Sequence, residues 1–461
     1  MTEEGADEPA EAMSFEAVTE AIRRESTPDA TERQRLEEVA TTLRARATAA
    51  VTERIPDADV VQVGSTARNT WVSGDRDIDI FVRFPPETDR DTLERVGLEV
   101  GHETLPSGHE EYAEHPYVKG TYDGFDIDIV PCFRLERASD IRSAVDRTPF
   151  HNRYLDRRLD ETLADDSRVT KQFLKGIGVY GSNLRTAGFS GYLTELLVLE
   201  YGGFRPLLEA AADWHPPVEL DPEDHGSVSF DDPLIVIDPT DPTRNVAAVC
   251  SPANVARLQH YARSLLSEPA LEYFRPADPD PLEPAELETH LERRGATSLA
   301  IRFDIPDLVD DQLYPQLHKS LDGIARALDT RGFDVLRKTT MAADTAVLLF
   351  DVGVRTRPKI ERHEGPPVHI RDHAEGFFAA YVDDDSVYGP FIDGDRYVVE
   401  RERTCTSALE FLESPSLFDV SLGTHVETAL EDGYTVLVDD ELSDLLEDFG
   451  PALRRYFEPS P

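Results

Sequence analysis

Two segments in which aspartate alternates with isoleucine constrain the fold more than any other feature of the chain. The first is "DIDIFVRF", residues 77–84, and the second is "FDIDIVPCF", residues 125–133. A repeat of two residues is the period of a β-strand, so the carboxylates lie on one face and the aliphatic side chains on the other. We therefore expect two strands, each with a buried apolar face and two aspartates opposite.

Acid-x-acid pairs alone carry little information in this chain, because acidic residues are so common. The sequence has 91 Asp plus Glu among 461 residues, and about eighteen such pairs are expected from composition alone. The strand setting adds the information, since two aspartates on one face repel each other and favour a cation between them. Mg²⁺ prefers carboxylate oxygens and is usually shared with substrate phosphates.

A third carboxylate would come from the second segment if its strand lies beside the first. Asp77 and Asp79 would supply two ligands, and a third would come from Asp126 or Asp128. Three carboxylates can hold two Mg²⁺ ions, one at an attacking hydroxyl and one at the leaving oxygens. The pattern predicts a metal site, and strand parity does not choose between Asp126 and Asp128.

A Gly-Ser turn precedes the first acidic segment. A strand expected over 58–64 ends at Gly64-Ser65, where a short helix is expected to begin. Glycine permits close backbone approach, Ser65 offers a hydroxyl, and free N–H groups face an anion. Arg68, one turn later, would add a charge-assisted contact. Alone, the pair indicates only a turn, but this order of turn, acidic pair and later third acid is typical of nucleotidyltransferases.

The length of 461 residues predicts two to four domains. The first part should be a small mixed α/β unit and the part after Thr148 should be helical. Helices are expected over 14–54 with a break at 26–30, over 91–102, and in several segments from Thr148 to 266; strands are expected over 58–64 and 78–84, with a hairpin over 117–133 turning at Asp123-Gly124. Thr148 is the expected N-cap of its helix, and the segment "SGYLTELLVLEYGGF" is expected to be apolar on one face.

The proline-rich stretch 275–284 predicts a linker. After it come a strand over 297–305, an amphipathic helix and strands over 333–340 and 346–352. The expected apolar face of that helix is Leu317, Leu321, Ile324, Ala325 and Leu328. This β-α-β-β order is a common platform for RNA, and a structural or dimerising domain explains it equally well.

The net charge of −44 has two interpretations. One is a protein that repels nucleic acid, because a basic surface is the usual sign of nucleic-acid binding. The other is adaptation to a very salty cytoplasm, where molar salt shortens the Debye length to about 3 Å. We favour the second, because the acidic residues are dispersed along the whole chain.

Cysteine usage and apolar runs indicate a cytoplasmic protein. Cys132, Cys250 and Cys405 are far apart and form no CxxC pair, which argues against a zinc site or a disulfide framework. The sequence has no apolar run of 18 residues, so we expect no membrane association. The start, "MTEEGADEPAEAM", lacks the basic and apolar regions of a signal peptide.

Several motifs together resemble the archaeal class of CCA-adding enzymes, the tRNA nucleotidyltransferases that build or repair the 3′ CCA end. They are "GSTARNTWVSGDRDIDIF", "YAEHPYVKG" followed by "DIDIVPCF", "TPFH", "LKGIGVYGS", "GFSGYLTELLV", "DPTRNVAA" and "YGPFIDGDRYVVE". They span roughly residues 57–400, and the "RRDFT"-type motif of the bacterial and eukaryotic class is missing.

The resemblance implies an α+β multidomain chain with a polymerase-β-like nucleotidyltransferase head. The head would comprise residues 1–150 and a helical neck, which recognises the nucleotide, residues 151–275. An RNA-binding α/β body over 285–375 and a tail over 376–461 would hold the tRNA. The implied partners are tRNA, ATP and CTP, with Mg²⁺ as cofactor, and the family suggests a homodimer.

The resemblance also implies roles for individual residues. Asp77, Asp79 and Asp128 would be the catalytic metal ligands, although the family often has glutamate at the first position. Contacts to ATP or CTP would come from Ser65, Arg68, His151, Lys171 and Tyr180. Arg244 would read the base.

Two alternatives stay open at the level of sequence. A related polymerase could add only adenosines or modify a small molecule, and a decayed head would leave a non-catalytic RNA-binding protein. All three carboxylates are present, which argues against decay.

Overall fold

The computed structural model describes residues 13–112, 114–276 and 278–461. These divide into two units, one up to residue 276 and one over 278–460, with the final Pro461 grouped with the first. The boundary falls in the predicted linker, whose described residues before Pro284 form no helix or strand. The first twelve residues, on which the signal-peptide expectation rests, lie outside the described part.

The first unit opens with two helices, α1 (Phe15–Ser26) and α2 (Ala30–Arg54). The carboxylate of Asp29 accepts hydrogen bonds from the Thr31 and Glu32 amides and so begins α2 with a capping box. The predicted break at 26–30 is therefore confirmed.

A five-stranded sheet follows the two helices. Its elements are β1 (Asp59–Val63), α3 (Gly64–Ala67), β2 (Asp77–Phe84), α4 (Arg90–Thr104), β3 (His109–Tyr112), β4 (Pro116–Tyr122) and β5 (Phe125–Phe133). The strand order is β1-β2-β5-β4-β3, with β2 and β5 parallel and the other pairs antiparallel. The β4–β5 hairpin turns at Asp123 and Gly124, which have φ angles of 51° and 80° as a tight hairpin turn requires.

The core of this sheet lies between its isoleucine face and the helices α2 and α4. Ile78, Ile80, Ile127 and Ile129 are all buried there against leucines and valines of the two helices. The period-two prediction is confirmed, because the aliphatic face of both acidic segments is in the core.

The rest of the first unit is mostly helical. Its elements are α5 (Thr148–Asp156), α6 (Glu161–Gly176), α7 (Gly191–Tyr201), α8 (Phe204–Ala212), β6 (Val218–Leu220), β7 (Leu234–Asp238), β8 (Asp241–Asn245) and α9 (Pro252–Ser267). Thr148 is the first residue of α5 rather than its N-cap, which is Arg147. The small sheet of β6, β7 and β8 was not predicted.

Two helices of this region differ from expectation in their packing. α7 is buried on all sides over Leu193–Val198 rather than on one face. α1, which lies within the predicted head, places Phe15, Val18 and Ile22 in the core of the helical region. A helix from the predicted head therefore packs in the core of the predicted neck, across the predicted boundary at residue 150.

The second unit contains two sheets. Its elements are α10 (Pro284–Arg294), β9 (Thr297–Asp304), α11 (Asp310–Thr330), β10 (Val335–Ala342), β11 (Thr345–Val352), β12 (Ile360–Pro367), α12 (Arg371–Tyr381), β13 (Tyr388–Asp393), β14 (Arg396–Glu402), α13 (Ala408–Leu412), α14 (Thr424–Asp432), β15 (Tyr434–Val438) and α15 (Leu446–Phe457). One sheet has the order β10-β11-β9-β15 and the other β12-β14-β13. The predicted β-α-β-β run is confirmed, and its expected helix face is buried.

Three further features of the structure bear on the sequence predictions. β15 comes from the predicted tail but pairs with β9 of the predicted body, and the bounds of the four domains stay predictions. All three cysteines are buried. Within the described ranges, no helix has the length and apolarity to cross a membrane.

Candidate active site

The paired strands β2 and β5 bring the four aspartates to one face of the first sheet. Their parallel register sets Asp79 opposite Asp128 and Asp77 opposite Asp126. Asp77 and Asp126 are exposed, whereas Asp79 and Asp128 are partly buried. The predicted adjacency of the two acidic strands is confirmed, and the register makes Asp128 the neighbour of Asp79, which strand parity alone did not resolve.

The Gly-Ser turn lies directly against Asp79. β1 pairs with β2 so that Val63 is opposite Asp79, and the single helical turn α3 begins at Gly64 as predicted. Gly64 has a φ of +81°, and a Cβ built on it would lie 2.1 Å from Asp79 Oδ2. Only glycine fits here, because the carboxylate occupies the space of a side chain.

The aspartates raise one another's proton affinity. Burial raises the pKa of Asp79 to about 7, and the neighbouring charges of Asp128 and Asp77 add to the effect. Burial also raises the pKa of Asp128, opposed by Lys119, its partner on β4. A cation beside these carboxylates would relieve both the repulsion and the desolvation.

The donor set fits a divalent cation in part. Asp79 and Asp128 are neighbouring carboxylates, the ligand type that Mg²⁺ prefers. In residues 13–461 apart from 113 and 277, however, no three or more His, Cys, Asp or Glu side chains are grouped closely enough to hold an ion. The register brings Asp79 and Asp128 side by side, and the metal-binding roles of Asp77, Asp79 and Asp128 stay predictions.

A cavity of about 260 Å³ lies between the α3 turn and the helices that follow the sheet. It is lined by Gly64, Ser65, Arg68, Thr148, His151, Lys171, Tyr180, Gly191, Tyr192 and Glu195. The five predicted nucleotide-binding residues, widely separated in sequence, are therefore all brought to one cavity. Asp79 is next to it through Gly64.

Arg68 and Lys171 share one buried carboxylate. Arg68 Nε donates to Glu195 Oε2 at 2.8 Å, and Lys171 Nζ donates to Glu195 Oε1 at 2.7 Å. Burial alone would raise the pKa of Glu195, but Lys171 and Arg68 outweigh it and lower the pKa to about 2. Burial lowers the pKa of Lys171 in spite of Glu195. Glu195 is therefore an ionised carboxylate that both cations stabilise.

His151 and Arg244 share a second buried carboxylate. His151 Nε2 lies 2.7 Å from Asp238 Oδ2, and Arg244 Nη1 donates to the same oxygen at 2.8 Å. Asp238 is fully buried, and His151 and Thr240 hold its pKa below the ordinary range against the effect of burial. The His151 ring stacks on Tyr192 with centroids 3.9 Å apart. Arg244 is thus connected to the cavity through His151.

Tyr180 and His115 differ in their relation to the cavity. Tyr180 lines it, and burial raises the pKa of its hydroxyl, so it stays a hydrogen-bond donor. Lys175 Nζ lies 5.4 Å from the Tyr180 ring centroid and bonds to Asp75. His115, near the acidic hairpin in sequence, is buried with Nδ1 3.1 Å from Glu94 Oε1 and is not among the lining residues.

Sequence reasoning missed the two buried carboxylates that hold the predicted cations. Glu195 is the only acidic residue between Gly191 and Leu199, and Asp238 ends the apolar run "LIVID". A lone acid in an apolar segment was the available signal, since a buried carboxylate is rare unless it is paired.

Comparison with known proteins places three family models on the chain. The "nucleotidyltransferase domain" model matches residues 45–151, and the model "tRNA nucleotidyltransferase, second domain" matches residues 165–275. The model "CCA-adding enzyme, C-terminal domain" matches residues 294–439. These matches confirm the predicted α+β multidomain class with a nucleotidyltransferase head.

Curated relatives match along nearly the full chain. The CCA-adding enzyme of Haloarcula marismortui is 57% identical, covering 97% of this chain and 99% of its own. That of Halorubrum lacusprofundi is 58% identical with the same coverages, 97% and 99%. Among solved structures, the Cid1 poly(U) polymerase is 16% identical with a TM-score of 0.44, covering 56% of this chain and 98% of that chain.

Proposed function

The chain belongs to the CCA-adding enzymes, and on this premise we propose that its first unit adds C, C and A to tRNA 3′ ends. CTP and ATP are the donors, and pyrophosphate is released. The observation that carries the proposal is the register pair of Asp79 and Asp128 against the Gly64 turn, beside a cavity that collects the predicted nucleotide ligands.

The reaction breaks the phosphoanhydride bond between the α- and β-phosphates of the nucleotide and forms a phosphodiester bond to tRNA. The 3′-oxygen of tRNA forms a bond to the α-phosphorus as the bond to the leaving pyrophosphate oxygen breaks, and the hydroxyl proton is lost. Positioning of the 3′ end and the nucleotide supplies much of the rate. Nothing in this step requires a covalent enzyme intermediate.

Asp77, Asp79 and Asp128 would hold the metal, for which we propose Mg²⁺. Nucleotidyltransferases generally use divalent ions. Bound ions of this kind would neutralise charge at the attacking and leaving oxygens. Asp79 and Asp128 supply neighbouring carboxylates across the β2–β5 pair. Asp126, exposed beside Asp77, is not required by this assignment.

The cavity residues would orient the nucleotide. Ser65 and Arg68, at the turn next to Asp79, would contact the triphosphate. Lys171 and Tyr180, which line the same cavity, would add donors to it. His151, which bonds to Asp238 and stacks on Tyr192, would add a further contact to the nucleotide. Arg244, which donates to the same Asp238 carboxylate, would recognise the base. A cytoplasmic location and a homodimer also stay proposals.

An incorporation assay tests the function directly. Labelled CTP and ATP are supplied singly and together to tRNA lacking CCA and to tRNA ending in CC, in molar KCl with Mg²⁺. We expect CTP alone to extend the first substrate by two residues, ATP alone to extend only the second by one, and EDTA to stop both.

Other results would favour the alternatives. Repeated addition of adenosine without CTP would indicate a poly(A)-type enzyme. Tight tRNA binding with no pyrophosphate release at any Mg²⁺ concentration would indicate a non-catalytic RNA-binding protein. The relatives, whose alignments cover 97% of this chain, are named CCA-adding enzymes and favour neither alternative.

A further inference from the structure

Three consecutive residues of the loop after α3 are held by side chains of helices α6 and α7. Arg68 Nε donates to Glu195 on α7. The carbonyl oxygen of Asn69 accepts from Arg168 Nη1, and that of Thr70 accepts from Lys171 Nζ at 2.9 Å, both donors being on α6. The loop that lines the cavity therefore takes its conformation from the helical region, not only from the sheet.

Glu195 is the centre of these contacts. It is fully buried, and both of its oxygens are used. Oε1 accepts from Thr70 Oγ1 at 2.6 Å and from Lys171 Nζ at 2.7 Å, while Oε2 accepts from Arg68 Nε at 2.8 Å. One carboxylate thus binds the loop at two residues and the helix α6 at one.

Lys171 and Arg68 have different capacities left for a ligand. An ammonium has three donors, and Lys171 has acceptors for all of them in Thr70 O, Thr70 Oγ1 and Glu195 Oε1. Arg68 has five donors, of which Nε binds Glu195 and Nη1 binds Asn152 at 2.7 Å. The two cations and the carboxylate together carry one positive charge, and Arg68 is the cation of the two with donors left for a ligand.

We propose that Glu195 is a positioning residue for the nucleoside triphosphate. It holds Arg68 at the cavity and, together with Lys171 and Thr70, fixes the loop over residues 68–70. Lys171 also holds the loop, through the carbonyl and the hydroxyl of Thr70. The inference rests on the proposed function, because it assigns Arg68 to the triphosphate.

The substitution Glu195→Gln tests the role with little change in volume. A glutamine amide accepts at one end and donates at the other, so it cannot accept from both Arg68 and the Thr70–Lys171 side. We expect KM for CTP and ATP, and Kd for CTP without tRNA, to rise about 10- to 100-fold, with a smaller fall in kcat. Glu200→Gln, exposed on the same helix, should leave all three unchanged.

A double-mutant cycle separates positioning from a general structural role. If Glu195 acts through Arg68, Glu195→Gln should add little to the effect of Arg68→Ala on CTP binding. Multiplicative effects of the two changes would overturn the inference, as would an unchanged CTP Kd in Glu195→Gln.

A second variant covers the case in which Glu195→Gln does not fold. Thr70→Val keeps the shape and removes only the hydroxyl that bridges Lys171 and Glu195, and we expect a several-fold rise in KM. Unchanged KM in this variant would count against the loop-holding role. Wild-type protein that adds no CMP or AMP to tRNA would instead remove the proposed function, so the two failures are distinguishable.

Discussion

Asp79, partly buried, and Glu195, fully buried, are two carboxylates near the same turn, and their surroundings shift their pKa values in opposite directions. Burial and other carboxylates raise the pKa of Asp79 to about 7, whereas two cations overcome burial and lower that of Glu195 to about 2. Removing a carboxylate from water is costly unless a partner compensates. The comparison indicates that Glu195 has its partners within the protein, while Asp79 is arranged for a partner from outside.

Loss of either paired aspartate should have the largest effect. Asp79→Ala or Asp128→Ala removes a ligand of the proposed metal, so we expect nucleotide incorporation to fall by about 10³-fold or more. Circular dichroism should show an intact fold. The matched variant Asp126→Ala, on the same face but exposed, should change the rate by only a few fold, and equal losses in both would contradict the assignment of Asp128.

Adding one methyl group at Gly64 tests how closely the turn approaches Asp79. Gly64→Ala places a Cβ 2.1 Å from Asp79 Oδ2 at a φ of +81°, so we expect an approximately 10²-fold loss of incorporation. Gly74→Ala is the matched control, with a φ of +89° and no atom within 4 Å. It should lose about 1–2 kcal/mol of stability from backbone strain alone and keep its activity.

The two carboxylates should differ in the sign of their effect on the stability of the metal-free protein. Asp79→Asn removes repulsion among the carboxylates and should raise the unfolding midpoint measured with EDTA. Glu195→Gln removes a compensated charge and should lower the free energy of unfolding by on the order of 3 kcal/mol near pH 7. A change of stability in the same direction in both variants would contradict the predicted difference between the two carboxylates.

The effect of Glu195 on stability should also depend on pH. Its pKa of about 2 in the folded protein is below the ordinary 4.5, so its contribution is complete above pH 4.5 and is lost as pH falls toward 2. We expect the difference in unfolding free energy between wild type and Glu195→Gln to shrink from pH 6 to pH 3.5. Denaturant unfolding in molar KCl measures it, and a constant difference would contradict the prediction.

The smallest effect is expected at the second paired carboxylate. Arg244 is partly exposed and donates to Asp238, so Arg244→Ala leaves His151 as a partner of that buried charge. We expect the ratio of KM values for CTP and ATP to change about tenfold or less, with the unfolding midpoint nearly unchanged. An equal rise in both KM values would argue that Arg244 does not read the base.

Features governed by local periodicity were predictable from the sequence. Asp77 and Asp79 alternate with isoleucines, and this alternation predicted a strand with both carboxylates on one face. Pro85 and Pro86, directly after the first acidic strand, and the Asp123-Gly124 turn before the second mark the strand boundaries in the sequence. The family resemblance, rather than periodicity, named five residues that line the cavity: Ser65, Arg68, His151, Lys171 and Tyr180.

Features that depend on pairing between distant elements were not predictable. The pairing of Asp128 with Asp79, and of Asp126 with Asp77, follows from the register of β2 and β5, which strand parity does not contain. In the sequence, Glu195 is a lone acidic residue in an apolar segment, and its hydrogen-bond partners are 24 to 127 residues away. The same holds for β15, which comes from the predicted tail and completes the sheet of the predicted body.

The distance along the chain between the loop and Glu195 matters during synthesis. Thr70 and Glu195 are 125 residues apart, and translation at about 5–20 residues per second separates their appearance by roughly 6–25 s. The sheet core, built from residues between Leu36 and Phe150, is complete before Glu195 is made. A ribosome-bound chain at this stage therefore contains both acidic strands, while the loop over residues 68–70 still lacks its contacts with Glu195.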